Sequence, residues 1–172
     1  LSAQDKTAVF VDVQNIYYTV RQTFACHFNY AKFWKQISSE SKISHAFAYA
    51  VDRGDKKQNK FQQILKDLGF EVKLKPYIQR KDGSAKGDWD VGITIDMLEY
   101  SDKVDRMVLA SGDGDFDLLV RKIRQSHSIR VDVFGVEALT ANSLKNSASN
   151  FYSINNQLLL YPQQANQPPT QT

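Results

Sequence analysis

The 172-residue chain is poor in the residues that staple or metallate small proteins: it has one cysteine and three histidines. The single thiol, Cys26, permits no internal disulfide and suits a reducing cytoplasm, where the protein is expected to reside. It has no partner base in the sequence pattern, so it reads as structural. His27, His45 and His127 are scattered without zinc-ligand spacing, and ordinary surface or core work is expected of them. No stretch approaches the roughly 18 uninterrupted apolar residues of a membrane span, which argues against a membrane role. The opening 1-LSAQDKTAVF-10 lacks a basic end followed by a long apolar segment, which argues against a secretory signal within it. Internal repeats and a P-loop are missing as well.

What is present suits one globular domain. A hydrophobic content of 42% with 24% charged residues is that of a soluble protein, and the length allows a core that needs no staples. The domain is expected over residues 1–160. The end, 161-YPQQANQPPTQT-172, has too little apolar content to fold and is expected to be disordered. The net charge of +3 serves solubility on its face. If four carboxylates were held on metal, 19 acidic groups less four would leave 15 against 22 basic ones, a surplus of +7 that suits a polyanionic partner.

Strand-like and helix-like runs alternate. Residues 7-TAVFVDVQ-14 and 43-ISHAFAYAVD-52 read as β-branched, apolar strands that end in acid, and 70-FEVKLKPY-77, 104-VDRMVLAS-111, 129-IRVDVFG-135 and 150-NFYSI-154 as further strands. Helical spacing marks 15-NIYYTVRQTF-24, 30-YAKFWKQISS-39, 56-KKQNKFQQILKDLGF-70 closed by Gly69, 115-DFDLLVRKIRQS-126 and a short stretch around 140–148. Turn residues and lysines make 78-IQRKDGSAKGD-88 a loop. In 88-DWDVGITIDMLEY-100 the alternation of Trp89, Val91, Ile93, Ile95 and Met97 suggests a strand. Its place between two parallel strands requires a crossover, and its Gly-Asp entry suits a helix start, so a helix is expected. The alternation implies a three-layer α/β/α sandwich with a mostly parallel central sheet, whose site lies beyond the carboxyl ends of the strands where the strand order reverses. Asp12 ends the first strand, and Asp113 and Asp115 follow the fourth.

The stretch 109-LASGDGDFDLL-119 carries three acids at alternating positions directly after an apolar run, a poor choice for the fold alone because like charges repel. Asp113 and Asp115 could cap the following helix. Together with Asp12 and Asn15 at the first strand exit, and with Asp90, they could instead hold a hard divalent ion such as Mg²⁺ or Mn²⁺, which prefers oxygen ligands. Other readings of the loop fail on spacing. An EF-hand would need Gly at Leu118 and Glu at Arg124, and a G-x-G-x-x-G fingerprint from Gly112 would need Gly at Asp117.

Asp12-x-x-Asn15, 86-KGDWDVGITID-96 and 111-SGDGDF-116, in that order, resemble the NYN domains, specifically the bacterial LabA-like branch related to PIN-domain nucleases. The resemblance covers roughly residues 6–155. It implies a PIN-like, Rossmann-like fold with an acidic, metal-dependent site in a group many of whose members cut RNA. Carried over, it makes Asp12, Asp90, Asp113 and Asp115 metal ligands, with Asn15 and Ser111 in support. Asp96 matches a further acid of the middle motif. Where the family has one small or apolar residue between Gly and Asp, this chain has Asp88 and Trp89, so either Asp88 or Asp90 could be the ligand, and Asp90 is preferred. Lys86 could neutralise a phosphate or be a solvated loop lysine.

For a substrate path, Lys73, Lys75, Arg80 and Lys81, with Tyr77 among them, could track a nucleic-acid backbone and stack a base. Arg53, Lys56, Lys57 and Lys60 form a second basic group, although charge runs also mark solvated faces. Single-stranded RNA as the partner follows from the family resemblance, since no base-reading motif is present. The expectation is a metal-dependent ribonuclease. A regulatory RNA-binding module that keeps the acidic pocket is the alternative, and self-association is left open. A haloacid-dehalogenase-type phosphatase lacks its D-x-D nucleophile, because Val13-Gln14-Asn15 follows Asp12.

Overall fold

The apolar runs become one six-stranded sheet in the computed structural model, which describes residues 2, 4–76 and 88–162 and the backbone of 78–79 and 85–86. Along the chain the elements are β1 (Lys6–Asp12), α1 (Val13–Phe24), β2 (His27–Phe28), α2 (Tyr30–Ser38), β3 (Lys42–Asp52) and α3 (Lys56–Leu68). Then come β4 (Glu71–Pro76), β5 (Ile78–Gln79), β6 (Ala85–Lys86), α4 (Asp90–Tyr100), β7 (Arg106–Ala110) and α5 (Asp117–His127). β8 (Arg130–Gly135), α6 (Asn142–Ser147), β9 (Asn150–Ser153) and β10 (Leu159–Leu160) complete the order.

The sheet runs β4-β3-β1-β7-β8-β9, and every pairing in it is parallel. Counting only these strands along the chain, the order is 3-2-1-4-5-6, so the winding reverses between β1 and β7. Because successive side chains of a strand point to opposite faces, β1 feeds two cores. Val9 and Val11 pack with Ile16, Val20, Phe33 and Leu65 from α1, α2 and α3, while Ala8 and Phe10 pack with Ile93, Met97, Val120 and Ile123 from α4 and α5. The result is the expected three-layer sandwich, with a sheet that is wholly parallel.

Several boundaries differ from the sequence reading for local reasons. The first strand stops at Asp12 instead of Gln14, because the Asp12 carboxylate accepts the Asn15 N–H and starts α1 at Val13. The ambiguous segment is helix. Its strand-like alternation arises because α4 is apolar almost all round: Ile93 and Met97 are buried while Val91, Ile95 and Leu98 remain exposed. The loop expected at 78–88 contains the short antiparallel pair β5–β6, and β10 pairs with β2 in a ladder that the sequence did not signal. Gly69 closes α3 as expected: its φ is +121°, and a Cβ there would meet the Trp34 ring at 2.7 Å. The tail expected to be disordered falls mostly on 163–172, outside the described residues. No helix among the described residues is long and apolar enough to cross a membrane.

At the sheet end opposite the carboxyl termini of its strands, Arg106 and Asp132 are fully buried and joined at 2.8 Å. Arg130 and Asn150 also donate to Asp132, so its charge is both paired and hydrogen-bonded, as a buried charge must be.

Candidate metal centre

The register of β1 on β7 pairs Val11 with Ala110, which brings Asp12 beside Ser111 just past the sheet end. Ser111 is fully buried and joins the two loops: its hydroxyl donates to Asp12 Oδ2 at 3.1 Å and accepts the Asp113 N–H at 3.2 Å. Asn15, on the first turn of α1, accepts the Gly112 N–H on its Oδ1 at 2.8 Å. Gly112 is needed for this close approach, since a Cβ there would stand 2.8 Å from the Leu139 carbonyl oxygen. Asp113 in turn accepts the Asp115 N–H at 2.9 Å and so caps the short 3₁₀ turn of residues 114–116. Capping and ligation are therefore compatible here: each capping carboxylate commits one oxygen to the backbone, which also fixes its orientation.

The third segment arrives from α4. Asp88 accepts the Asp90 N–H at 3.2 Å, and Asp90 occupies the first turn of the helix. Asp90, Asp113 and Asp115 each present a carboxylate oxygen within 4.8 Å of the others. Asp12 is not a member of this trio. It shares with Asp88, Asp90 and Asp113 a cavity of about 240 Å³ that Gln14, Asn15, Tyr18 and Thr19 also line. Asp115 is the exposed member of the trio.

The electrostatics are those of crowded acid. Burial pushes the Asp12 carboxyl up to about 6, against the hydrogen bonds from Asn15 and Ser111 that lower it. Asp90 is pushed up to about 7, first by desolvation and then by the charges of Asp113, Asp88 and Asp12. Among the described residues no lysine or arginine forms an ion pair with Asp12, Asp90, Asp113 or Asp115. A divalent cation held by these oxygens would relieve both shifts, and an all-oxygen donor set of this kind suits a hard ion. The residues present therefore fit a metal.

Residues 6–155 match the NYN domain. The chain belongs to the NYN domain family. Two relatives extend the comparison. This NYN domain is 25% identical over 158 residues to the Low amplitude and bright protein LabA of Synechococcus elongatus, covering 87% of this chain and 84% of LabA. It is 50% identical to a Vibrio parahaemolyticus protein of unknown function whose crystal structure superposes with a TM-score of 0.87, over 93% of this chain and 99% of that one.

Within the NYN domain the remaining expected site residues fall in different places. The carboxylate of Asp96 points to the sheet, away from the cluster: it accepts the Tyr49 hydroxyl at 2.7 Å and pairs with Lys73 at 2.6 Å. Lys73 is thus engaged in a half-buried ion pair over the Phe47 ring. Lys75 lies 4.5 Å from the Trp89 ring centroid and donates to the Asp88 carbonyl at 3.1 Å, so it braces the loop that carries Asp90. Tyr77, Arg80, Lys81 and the Lys86 side chain lie outside the described residues. Gln14, Tyr18 and Thr19 were not singled out from the sequence. Once Asp12 is recognised as a cap, helical spacing from Asn15 places Tyr18 and Thr19 on its face of α1.

Proposed function

We propose that this NYN domain is a ribonuclease that hydrolyses phosphodiester bonds of single-stranded RNA with Mg²⁺ or Mn²⁺. The observation that carries the reading is the convergence of Asp12, Asp90, Asp113 and Asp115, from three separated segments, on the point where the sheet reverses its winding. Membership of a family related to PIN-domain nucleases supports it.

When bound there, a divalent ion would supply Lewis acidity toward the scissile phosphate and toward a water. The chain's own residues do the rest. Asp90, Asp113, Asp115 and Asp12 would hold the ion, while Ser111 and Asn15 lock the two loops that carry Asp12 and Asp113. Asn15 spends its Oδ1 on Gly112, which leaves its amide N–H groups for a phosphate oxygen. No covalent nucleophile is required for hydrolysis by an activated water. Asp88 would support Asp90 through the backbone.

The test is cleavage of end-labelled single-stranded RNA with Mn²⁺ or Mg²⁺, with EDTA in a parallel reaction. Cleavage that EDTA abolishes is expected. RNA bound but left intact with either metal would favour a regulatory RNA-binding module instead.

A further inference from the structure

The cavity has one wall that the acids do not explain. Tyr18 lines it, and the rings continue outward from there along α1: Tyr17 meets Tyr18 edge-on at 5.4 Å, and His27 stacks on Tyr17 at 6.2 Å. Tyr17 and Tyr18 are 38% and 47% exposed, and His27 is exposed as well. Large aromatic rings side by side on a solvent face gain little for the fold, and here they begin at the rim of the acidic site. Each phenol is also held by a guanidinium: Arg53 donates to the Tyr18 hydroxyl at 3.0 Å, and Arg21 donates to the Tyr17 hydroxyl at 2.6 Å. These contacts fix the rings, and the Arg21 guanidinium also lies over the Tyr17 ring, 5.8 Å from its centroid.

Aromatic faces that alternate with cations are what a single strand of nucleic acid needs, because every base has a π-face and every linkage carries a negative charge. We infer that Tyr18, Tyr17 and His27 form a nucleobase-stacking track that leads the RNA strand out of the acidic cavity over α1, with Arg53 and Arg21 beside its phosphates. The inference rests on the ribonuclease reading for its substrate. It places the strand on the α1 side, beside the two guanidinium groups that hold the phenols. Stacking is indifferent to base identity, so the track confers a preference for unpaired RNA without a sequence preference.

The experiment scans one abasic nucleotide through a fluorescent single-stranded RNA and reads affinity by anisotropy. It uses Asp113→Asn as the common background so that the RNA stays intact, with cleavage by the parent protein assayed separately. Loss of a base that stacks on the track should weaken binding on the order of ten-fold at one or two positions. Tyr17→Leu and Tyr18→Leu should bind the intact RNA that much more weakly and become insensitive to the abasic nucleotide at those positions, the non-additivity expected of partners in contact. Tyr18→Phe keeps the ring, drops the Arg53 hydrogen bond, and should keep the abasic profile. Leucine variants that bind like the background, or that weaken while the abasic profile persists, would overturn the track. So would a background protein that binds no single-stranded RNA. A profile that behaves as expected beside a parent that cuts nothing would leave the track standing and remove the ribonuclease reading alone.

Discussion

Asp113 is the residue on which capping and ligation can be told apart. It follows β7 by three positions, accepts the Asp115 N–H, and lies within 4.8 Å, oxygen to oxygen, of Asp90 and Asp115. Asp113→Asn preserves the capping acceptor, since asparagine caps about as well as aspartate, and it relieves repulsion on Asp90 in the metal-free protein. The variant should melt at least as high as the parent in EDTA. It should gain much less melting temperature than the parent on addition of Mn²⁺, because ligand stabilises the native state only through binding. RNA cleavage should fall by orders of magnitude. Calorimetry with and without Mn²⁺, run beside the cleavage assay, reads all three, and a variant with the parent's metal response and activity would sink the metal site. Legibility at this scale was uneven. Asp12, Asp113 and Asp115 stood out because each follows an apolar strand, whereas Asp96 shares its motif with Asp90 and yet faces Tyr49 and Lys73. Six residues along a helix amount to a rotation of about 240°, that is, about 120° apart around the axis, so one of the two had to leave the site.

Among the elements, α4 decides where Asp90 sits. Its entry is anchored by Trp89, whose indole N–H donates to the Ala50 carbonyl at 2.8 Å and whose ring packs on Tyr49 at 5.3 Å under the Lys75 ammonium. Gly92 makes this fold-back feasible, as a Cβ there would approach the Trp89 ring to 2.6 Å. Trp89 thus positions Asp90, a ligand of the proposed metal site, from outside the residues that line the cavity. Trp89→Leu removes the hydrogen bond and the ring while leaving every carboxylate in place. Loss of a group that orients a ligand costs about 10- to 100-fold in metal affinity, so Mn²⁺ binding measured by titration calorimetry should weaken by that range. An unchanged affinity would show that Asp90 needs no such anchor. The helix itself was legible from its Gly-Asp entry and its place between two strands, and not from its periodicity. Its alternating apolar residues mimic a strand because Val91, Ile95 and Leu98 stay exposed, so the usual one-sided pattern is absent. The crossover that a parallel sheet demands settled the matter where periodicity could not.

For the whole molecule, the raised carboxyls tie stability to pH. Asp12 and Asp90 titrate at about 6 and about 7 in the folded protein, against ordinary values of about 4. A folded-state pKa above the unfolded one means that the native state holds the proton more tightly. The stabilisation is therefore complete below about pH 4 and is lost as pH rises through 6 and 7. In EDTA the parent should lose stability relative to Asp12→Asn between pH 4 and pH 8, because only the parent carries the buried Asp12 carboxyl while Asp90 titrates in both proteins. Because metal binding requires the ionised acids, the gain in melting temperature from Mn²⁺ should grow over the same interval. Urea titrations across that range check the first point, and a parent-minus-variant difference that does not change with pH would refute it.

Much of this protein was determined by the sequence alone. The alternation of β-branched runs with helical ones dictates a parallel α/β sandwich, because each strand must be followed by a crossover that covers a face, and the acids at strand exits must then gather at one end of the sheet. Three motifs in order identify the family. What the chain could not reveal is which side chains of neighbouring elements meet. Only the tertiary structure decided that Ser111 binds both Asp12 and Asp113, that Lys73 pairs with Asp96, that Arg106 and Asp132 neutralise each other in the core, and that Tyr18 forms a wall of the acidic cavity. Each of these depends on strand register and helix rotation across tens of residues. Local propensity and spacing carry no information about such distances, which are set when the two faces of the sheet are packed.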